Sequence, residues 1–168
     1  QNLSEEYMCE LMDLVQERNA ACVVISKSGT TTEPAVAFRL VKKYLEELDK
    51  LLNDNEILYV NLHPIAVKNL DFSGFSRIRK FPENLETYDF LNCTDCLVTD
   101  YSSVFYDYAI TGKKCVLFTY DEEEYFAERG VYKSIRELPF PQVKSVEELI
   151  NEMRSEKSYN DKDFLDEY

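Results

Sequence analysis

The sequence predicts an α/β fold: a single doubly wound parallel sheet of four to six strands with helices on both faces. Three observations predict it. Short, continuous apolar runs recur at Ala21–Ile25, Ile57–Leu62, Cys96–Thr99 and Cys115–Phe118, as expected for strands buried on both sides. Segments of helical periodicity separate them. At 168 residues the chain matches one domain of ordinary size, large enough for a core without disulfides or metal.

The elements follow in order. Ser4 suits the cap of a helix to about Arg18, whose apolar positions Tyr7, Met8, Leu11, Met12, Leu14 and Val15 share a face. The first strand then leads into a polar loop, Ser26-Lys27-Ser28-Gly29-Thr30-Thr31-Thr32. Glu33-Pro34 opens a long helix, with proline where a missing N–H costs nothing. Phe38, Val41, Leu45, Leu48 and Leu52 keep its face apolar. Asn53-Asp54-Asn55 breaks it, and the second strand ends in His63-Pro64. A short strand is expected around Ile78 and a short helix from Asn84 to Asn92. The strand at Cys96–Thr99 runs into Asp100-Tyr101-Ser102-Ser103 and a helix to about Thr111, stopped by Gly112. After the strand ending at Phe118 come Tyr120-Asp121 and an acidic helix. Ser145 caps a last helix, Val146 to Met153. Residues 157–168 are polar and expected to fray.

Charge and composition exclude several classes. Nineteen basic against 32 acidic residues leave a net charge of −13, which disfavours binding to a nucleic-acid backbone. An anionic small ligand requires local donors. The longest apolar run, Ala20–Ile25, falls far short of the ~20 residues of a membrane helix. No segment reads as a signal or transit peptide, and a start at Gln1 rather than Met points to a fragment. Five cysteines, an odd count in mostly apolar surroundings, suggest reduced thiols in a cytoplasmic protein. Cys93-Thr-Asp-Cys96 is one CxxC with no second pair, and His63 is the single histidine, so no metal site is expected. No cofactor is expected either.

In a parallel sheet, ligands bind beyond the carboxyl ends of the strands. That rule gathers the Ser26–Thr32 loop, His63, Asp100–Ser103 and Tyr120-Asp121 on one edge. The Ser26–Thr32 loop offers five hydroxyls, a lysine and backbone N–H groups at a helix start. That is the chemistry of a phosphate cradle, although the order of a P-loop is absent. The same residues also suit a plain strand-to-helix turn with threonine capping. Ser102 and Ser103 suit a phosphate or diphosphate in the same way, and equally suit an N-cap. His63 at a strand's end is either a buried structural histidine or a phosphate contact. Glu122-Glu123-Glu124 reads as a solvated helix start. Arg77, Arg79 and Lys80 either flank the cleft or line a solvent-facing strand.

Two resemblances complete the reading. Residues ~2–47 resemble glucose-6-phosphate isomerase, through the run Val24-Ile25-Ser26-Lys27-Ser28-Gly29-Thr30-Thr31-Thr32-Glu33-Pro34-Ala35-Val36-Ala37-Phe38-Arg39. This resemblance implies a sugar-phosphate segment in which Ser26, Ser28, Thr31 and the Lys27 backbone contact the ligand, glucose 6-phosphate. The isomerase's catalytic groups lie in parts of that family with no counterpart here.

Residues ~48–152 resemble the carboxyl lobe of the CDP-glycerol glycerophosphotransferases of teichoic-acid synthesis. The match rests on Leu62-His63-Pro64, Thr99-Asp100-Tyr101-Ser102-Ser103-Val104-Phe105-Tyr106-Asp107, Phe118-Thr119-Tyr120-Asp121, Tyr125 and Arg129-Gly130-Val131-Tyr132. It implies a Rossmann-like half of a GT-B-type transferase that binds CDP-glycerol and releases CMP. Ser102, Ser103 and Arg129 would hold the donor diphosphate, and His63 would be the catalytic group that neutralises or protonates phosphate. The acceptor lobe of that family has no counterpart in this chain, so catalysis by this chain alone is not expected. Members of the family sit at the inner membrane face. One α/β domain over 1–168, isomerase-like to residue 47, transferase-like over 48–156 and frayed beyond, has the look of a chimera. A recombinant or designed scaffold without activity is the third reading.

Overall fold

The computed structural model describes residues 19–25, 34–62, 70–129 and 135–167. The helix expected over Ser4–Arg18 lies outside them. Six strands form one parallel sheet: β1 (Asn19–Ile25), β2 (Glu56–Leu62), β3 (Ile78–Lys80), β4 (Cys96–Thr99), β5 (Lys114–Phe118) and β6 (Gln142–Val143). The helices are α1 (Pro34–Leu51), α2 (Thr87–Asn92), α3 (Val104–Ala109), α4 (Glu122–Arg129), α5 (Val146–Arg154) and α6 (Lys162–Glu167). A 3₁₀ turn spans Ile135–Glu137.

The strand order is β3-β2-β1-β4-β5-β6. The chain therefore builds outward from β1 to β3, then returns to the other side of β1 and builds outward to β6. Every neighbouring pair is parallel, so all carboxyl ends share one edge. The order reverses between β1 and β4, where Val24 pairs with Thr99. That reversal is the topological switch point, where adjacent loops part to opposite faces and leave a crevice.

Alternation along the strands sorts the core into two layers. Leu58, Val60, Val98 and Val116 face one way, against Leu45, Leu48 and Leu52 of α1 and Val146, Leu149 and Ile150 of α5. Ile57, Tyr59, Leu97, Cys115 and Leu117 face the other, against Phe90, Phe105, Tyr108, Phe140 and Phe164. Both faces are covered, which is why β4 and β5 read as continuous apolar runs. Pro34 is the first helical residue of α1. Near the other end of that helix, the Asp49 carboxylate accepts backbone N–H groups from Ser76, Arg77 and Ile78 at 2.9, 2.7 and 3.2 Å, and so fixes the entry to edge strand β3. Gly112, at φ +70°, makes the turn into β5. Ser145 and Glu148 form a reciprocal capping box on α5.

The tail corrects the sequence reading. Residues 157–167 do not fray: they run back along the sheet and end in α6. The Cys115 N–H donates to Tyr159 Oη at 2.7 Å, Lys157 pairs with Asp161 at 2.7 Å, and Phe164 is buried. Anchors spaced two or three residues apart among polar ones carry no helical or strand period, so composition hid them. The 3₁₀ turn and the two-residue strand β6 were likewise too short to leave a periodic signal.

Candidate functional site at the carboxyl edge of the sheet

Of the residues expected to contact ligand, Ser102 and Ser103 are the ones whose side chains are described. Both lie in the loop from β4 to α3, at the switch point. Asp100 is buried and its Oδ1 accepts the Ser102 N–H at 3.2 Å, which closes a tight turn. Ser102 is half-buried and Ser103 exposed. Ser103 stands at the N-cap of α3 with helical backbone angles, and its side chain makes no capping bond. Among the described residues, neither serine hydroxyl is engaged. Thr99, which ends β4, and Thr119, which follows β5, are wholly buried.

The next loop is tied to this one. The Tyr101 hydroxyl donates to Asp121 Oδ1 at 3.1 Å. The Tyr101 ring stacks on Tyr125 of α4, with centroids 3.7 Å apart and planes 14° apart. The Tyr120 phenol stands close enough to Asp121 to feel its charge. Burial, and then the Asp121 charge, push both phenols well above the ordinary range, so each stays a donor. Asp121 is thus a carboxylate held by the Tyr101 hydroxyl just beyond the end of β5.

Beside it, Glu122 is 4% exposed, with Arg136 Nε on Oε1 and Lys144 Nζ on Oε2, both at 2.7 Å. Hydrogen bonds from Arg136 and Lys144 hold its pKa down to about 2. The expectation of a solvated glutamate run is corrected here for Glu122: the two cations come from the 3₁₀ turn and from the residue after β6, elements that sequence did not reveal. Between α1 and the end of β5 opens a cavity of about 560 Å³, lined by Tyr44, Tyr120, Asp121, Glu123 and Lys144.

Other candidates fall elsewhere. Ser26, Lys27, Ser28 and Thr31 follow β1, and His63 follows β2; all five lie outside the described residues. Arg129 is the last residue of α4, and its side chain is likewise outside them. Arg79 turns back onto the carbonyls of Phe75, Ser76 and Ile78, Arg77 pairs with Asp54, and Lys80 with Glu83. These three basic residues therefore brace the edge strand. Burial pushes the Cys96 thiol up to about 12 and raises Cys93, so both remain thiols at neutral pH. Among the described residues no group of three or more His, Cys, Asp or Glu side chains could hold a metal ion. A second cavity, of about 520 Å³, lies at the opposite edge. Its cations Lys113, Lys114 and Lys157 donate to backbone carbonyls, and Arg154 pairs with Glu56.

Sequence reasoning put Asp121 on the ligand edge without a role of its own, and placed Tyr125 only inside a motif. The signal was positional: Tyr101 and Asp121 each follow a strand, and the two strands are neighbours.

Comparison with known proteins agrees with this architecture. A family model described as CDP-glycerol:poly(glycerophosphate) glycerophosphotransferase matches residues 30–166. Teichoic acid glycerol-phosphate primase of Bacillus subtilis (strain 168) is 35% identical over 118 residues, 68% of this chain and 30% of the primase. Glucose-6-phosphate isomerase of Bacillus cytotoxicus is 57% identical over 47 residues, 28% of this chain and 10% of the isomerase. The chain is thus chimera-like, with similarity to both families. A structure of the wall teichoic acid polymerase TagF superposes with a TM-score of 0.72 at 23% identity, over 90% of this chain and 38% of that one. Another structure of that polymerase was soaked with CDPG. UDP-GlcNAc 2-epimerase of Methanocaldococcus jannaschii, in complex with UDP-GlcNAc and UDP, shares the fold at a TM-score of 0.58 and 12% identity, over 94% of this chain and 44% of that one. The fold is a Rossmann-like half of a GT-B architecture, and the chain spans less than half of each of these proteins.

Proposed function

The chain belongs to the CDP-glycerol:poly(glycerophosphate) glycerophosphotransferase family, and from that premise we propose that it is the donor-binding lobe of such a transferase, acting in teichoic-acid assembly. One observation carries the reading: two serine hydroxyls, Ser102 and Ser103, unengaged among the described residues, stand at the switch point of the sheet. The donor is CDP-glycerol. Ser102 and Ser103 donate to its diphosphate, Arg129 at the end of α4 adds a charge-assisted contact, and His63 neutralises or protonates phosphate as charge moves.

In the reaction, an acceptor hydroxyl oxygen attacks the donor's β-phosphorus. The bond from that phosphorus to the bridging oxygen breaks, and CMP leaves with the bonding pair. The acceptor proton passes to a base on the acceptor lobe of the whole transferase. This lobe supplies positioning and charge stabilisation, the main demands of phosphoryl transfer. Charge-assisted hydrogen bonds of about 1.5–3 kcal/mol each offset the repulsion between an anionic donor and an acidic chain. The whole transferase works at the inner face of the membrane; among the described residues no helix is long and apolar enough to cross it.

An NMR titration of the labelled chain with CDP-glycerol tests the reading. Shifts are expected at Ser102, Ser103, His63 and Arg129. A folded sample whose spectrum does not move with cytidine nucleotides rejects it.

The isomerase similarity favours a second reading. β1 is a central strand, and the Ser26–Thr32 loop continues it. Ser26, Lys27, Ser28 and Thr31 then bind a sugar phosphate. Selective binding of glucose 6-phosphate, lost in Ser28→Ala and Thr31→Ala, is the expected result; binding that survives both changes removes the assignment.

A further inference from the structure

We propose that the cavity between α1 and the end of β5 is the polyol subsite of the donor, with the Asp121 carboxylate accepting hydrogen bonds from the polyol's hydroxyls. The inference rests on the donor-lobe reading above. It adds the part of the ligand that this pocket would recognise.

Position comes first. β4 and β5 are neighbours, so the loops after them lie side by side. Tyr101, which immediately precedes Ser102, hydrogen-bonds Asp121. A diphosphate on the serines therefore directs its next atoms along that contact, toward Asp121 and the cavity of about 560 Å³ behind it.

Chemistry comes second. Polyols are recognised by fixed acceptors for their hydroxyls and by aromatic rings beside their C–H faces. The Tyr101 hydroxyl on Asp121 Oδ1 fixes the carboxylate before any ligand arrives, which lowers the ordering cost of binding. The rings of Tyr44 and Tyr120, with centroids 5.2 Å apart, form the wall beside it.

Charge decides between ligand classes. Asp121 and the exposed Glu123 repel a phosphate, so the anionic part of a donor stays with the serines. A cationic group fits poorly as well. Glu122 is already neutralised by Arg136 and Lys144, and the Lys144 ammonium forms part of the wall. A neutral, hydroxyl-bearing chain is what remains. The volume exceeds what a three-carbon polyol needs, so a longer one also fits.

Calorimetric titration of the whole chain with CMP, CDP, CDP-glycerol and CDP-choline tests this, in the wild type and in Asp121→Asn. CDP-glycerol should bind about tenfold tighter than CDP to the wild type. Asp121→Asn should remove that difference from opposite sides: CDP-glycerol weakens, while CDP, with its extra terminal charge, does not. A merely structural Asp121 would weaken both together. Tyr44→Phe, which keeps the ring, provides a variant that folds if Asp121→Asn does not; it should keep the preference for CDP-glycerol. Equal affinity of the wild type for CDP and CDP-glycerol overturns the polyol subsite and leaves the donor lobe standing. Tighter binding of CDP-choline than of CDP-glycerol overturns it in favour of a cation. If CMP, CDP and CDP-glycerol all fail to bind, the donor-lobe reading fails and the subsite with it.

Discussion

Lys114, the first residue of β5, reaches Ser155, the residue after α5, and its ammonium donates to Ser155 Oγ at 2.8 Å. The same group donates to the carbonyls of Glu152 and Ser155, and Glu152 Oε1 lies 3.7 Å away. Lys114 is 7% exposed. A buried cation here satisfies the carbonyls that the end of α5 leaves open, and favours the negative end of the helix dipole. Lys114→Met should therefore cost about 2–4 kcal/mol, because it removes the donor and leaves buried acceptors unpaired. Urea unfolding monitored by circular dichroism reads this directly; a change within about 0.5 kcal/mol, the usual range for surface substitutions, would show the contact to be idle.

Glu122 makes stability depend on acid. Its folded pKa of about 2 lies below the ordinary carboxylate value near 4.5, because Arg136 and Lys144 hydrogen-bond the ionised form. A depressed carboxylate contributes stability that is present above the unfolded value and is lost as pH falls through the folded one. The loss should therefore develop between about pH 4.5 and pH 2. Both cationic partners are more than half exposed, which screens the pair. Glu122→Gln should lower the thermal midpoint at pH 7 and flatten its acid dependence. Parallel midpoint curves for the two proteins from pH 7 to pH 3 would rule the group out.

The stack of Tyr101 on Tyr125 and its bond to Asp121 can be separated. Tyr101→Phe keeps the ring contact and removes the hydrogen bond; it should cost about 1 kcal/mol. Tyr101→Ala removes both and should cost about 2–4 kcal/mol, since a half-buried aromatic loses its packing as well. Equal losses in the two variants would mean that the ring contributes nothing.

These groups show where sequence reading succeeds and where it stops. Continuous apolar runs identified four strands, because burial on both faces leaves no alternation to confuse them with surface. The spacing of Leu45, Leu48 and Leu52 identified α1 and its buried face. The rule that ligands gather beyond carboxyl ends brought Ser102, Ser103 and Asp121 to one edge. What it could not supply was partners. Glu122 reads as one of three exposed glutamates until Arg136 and Lys144, 14 and 22 residues away, are brought to it by a 3₁₀ turn and a two-residue strand. Asp49 likewise reads as a surface carboxylate, although it accepts three N–H groups from 27 to 29 residues away. Contacts of that kind have no period and no local motif.

Gly112 and Gly74 make a matched pair. An added Cβ meets nothing within 4 Å at either position. Gly112 alone carries a positive φ, +70°. Gly112→Ala should therefore destabilise by about 1 kcal/mol through backbone strain, with no steric clash to add. Gly74→Ala should be neutral, or stabilise by a few tenths of a kcal/mol by restricting the unfolded chain. Denaturant midpoints of both variants in one experiment test the contrast, and a Gly74→Ala loss as large as that of Gly112→Ala would refute it.

The tail offers the sharpest contrast between composition and structure. Residues 157–168 include six charged side chains and look dispensable. Yet Tyr159 accepts the backbone N–H of Cys115 in an interior strand, and its ring meets Phe140 edge-on at 5.7 Å. Phe164 packs on Phe140 at 5.2 Å and stacks on Tyr106 at 5.3 Å. Lys157 donates to the carbonyl of Gly112. Truncation after Glu156 would expose Phe140, Phe105 and one face of β5 together, and leave a strand N–H unpaired. Burial of one large aromatic side chain is worth about 1.5–3 kcal/mol, so loss of Tyr159 and Phe164 with the hydrogen bond should exceed about 4 kcal/mol, a large share of the stability of a domain this size. The truncated chain should unfold far earlier than the full one, or be recovered only as aggregate. Phe164→Ala alone should reproduce about half of the effect while keeping every backbone atom. Because Phe164 of α6 stacks on Tyr106 of α3, and Ser103 is the N-cap of α3, the same truncation should also broaden the amide signals of Ser102 and Ser103. A truncated chain with an unchanged midpoint and unchanged signals would return the tail to the frayed state that its composition suggests.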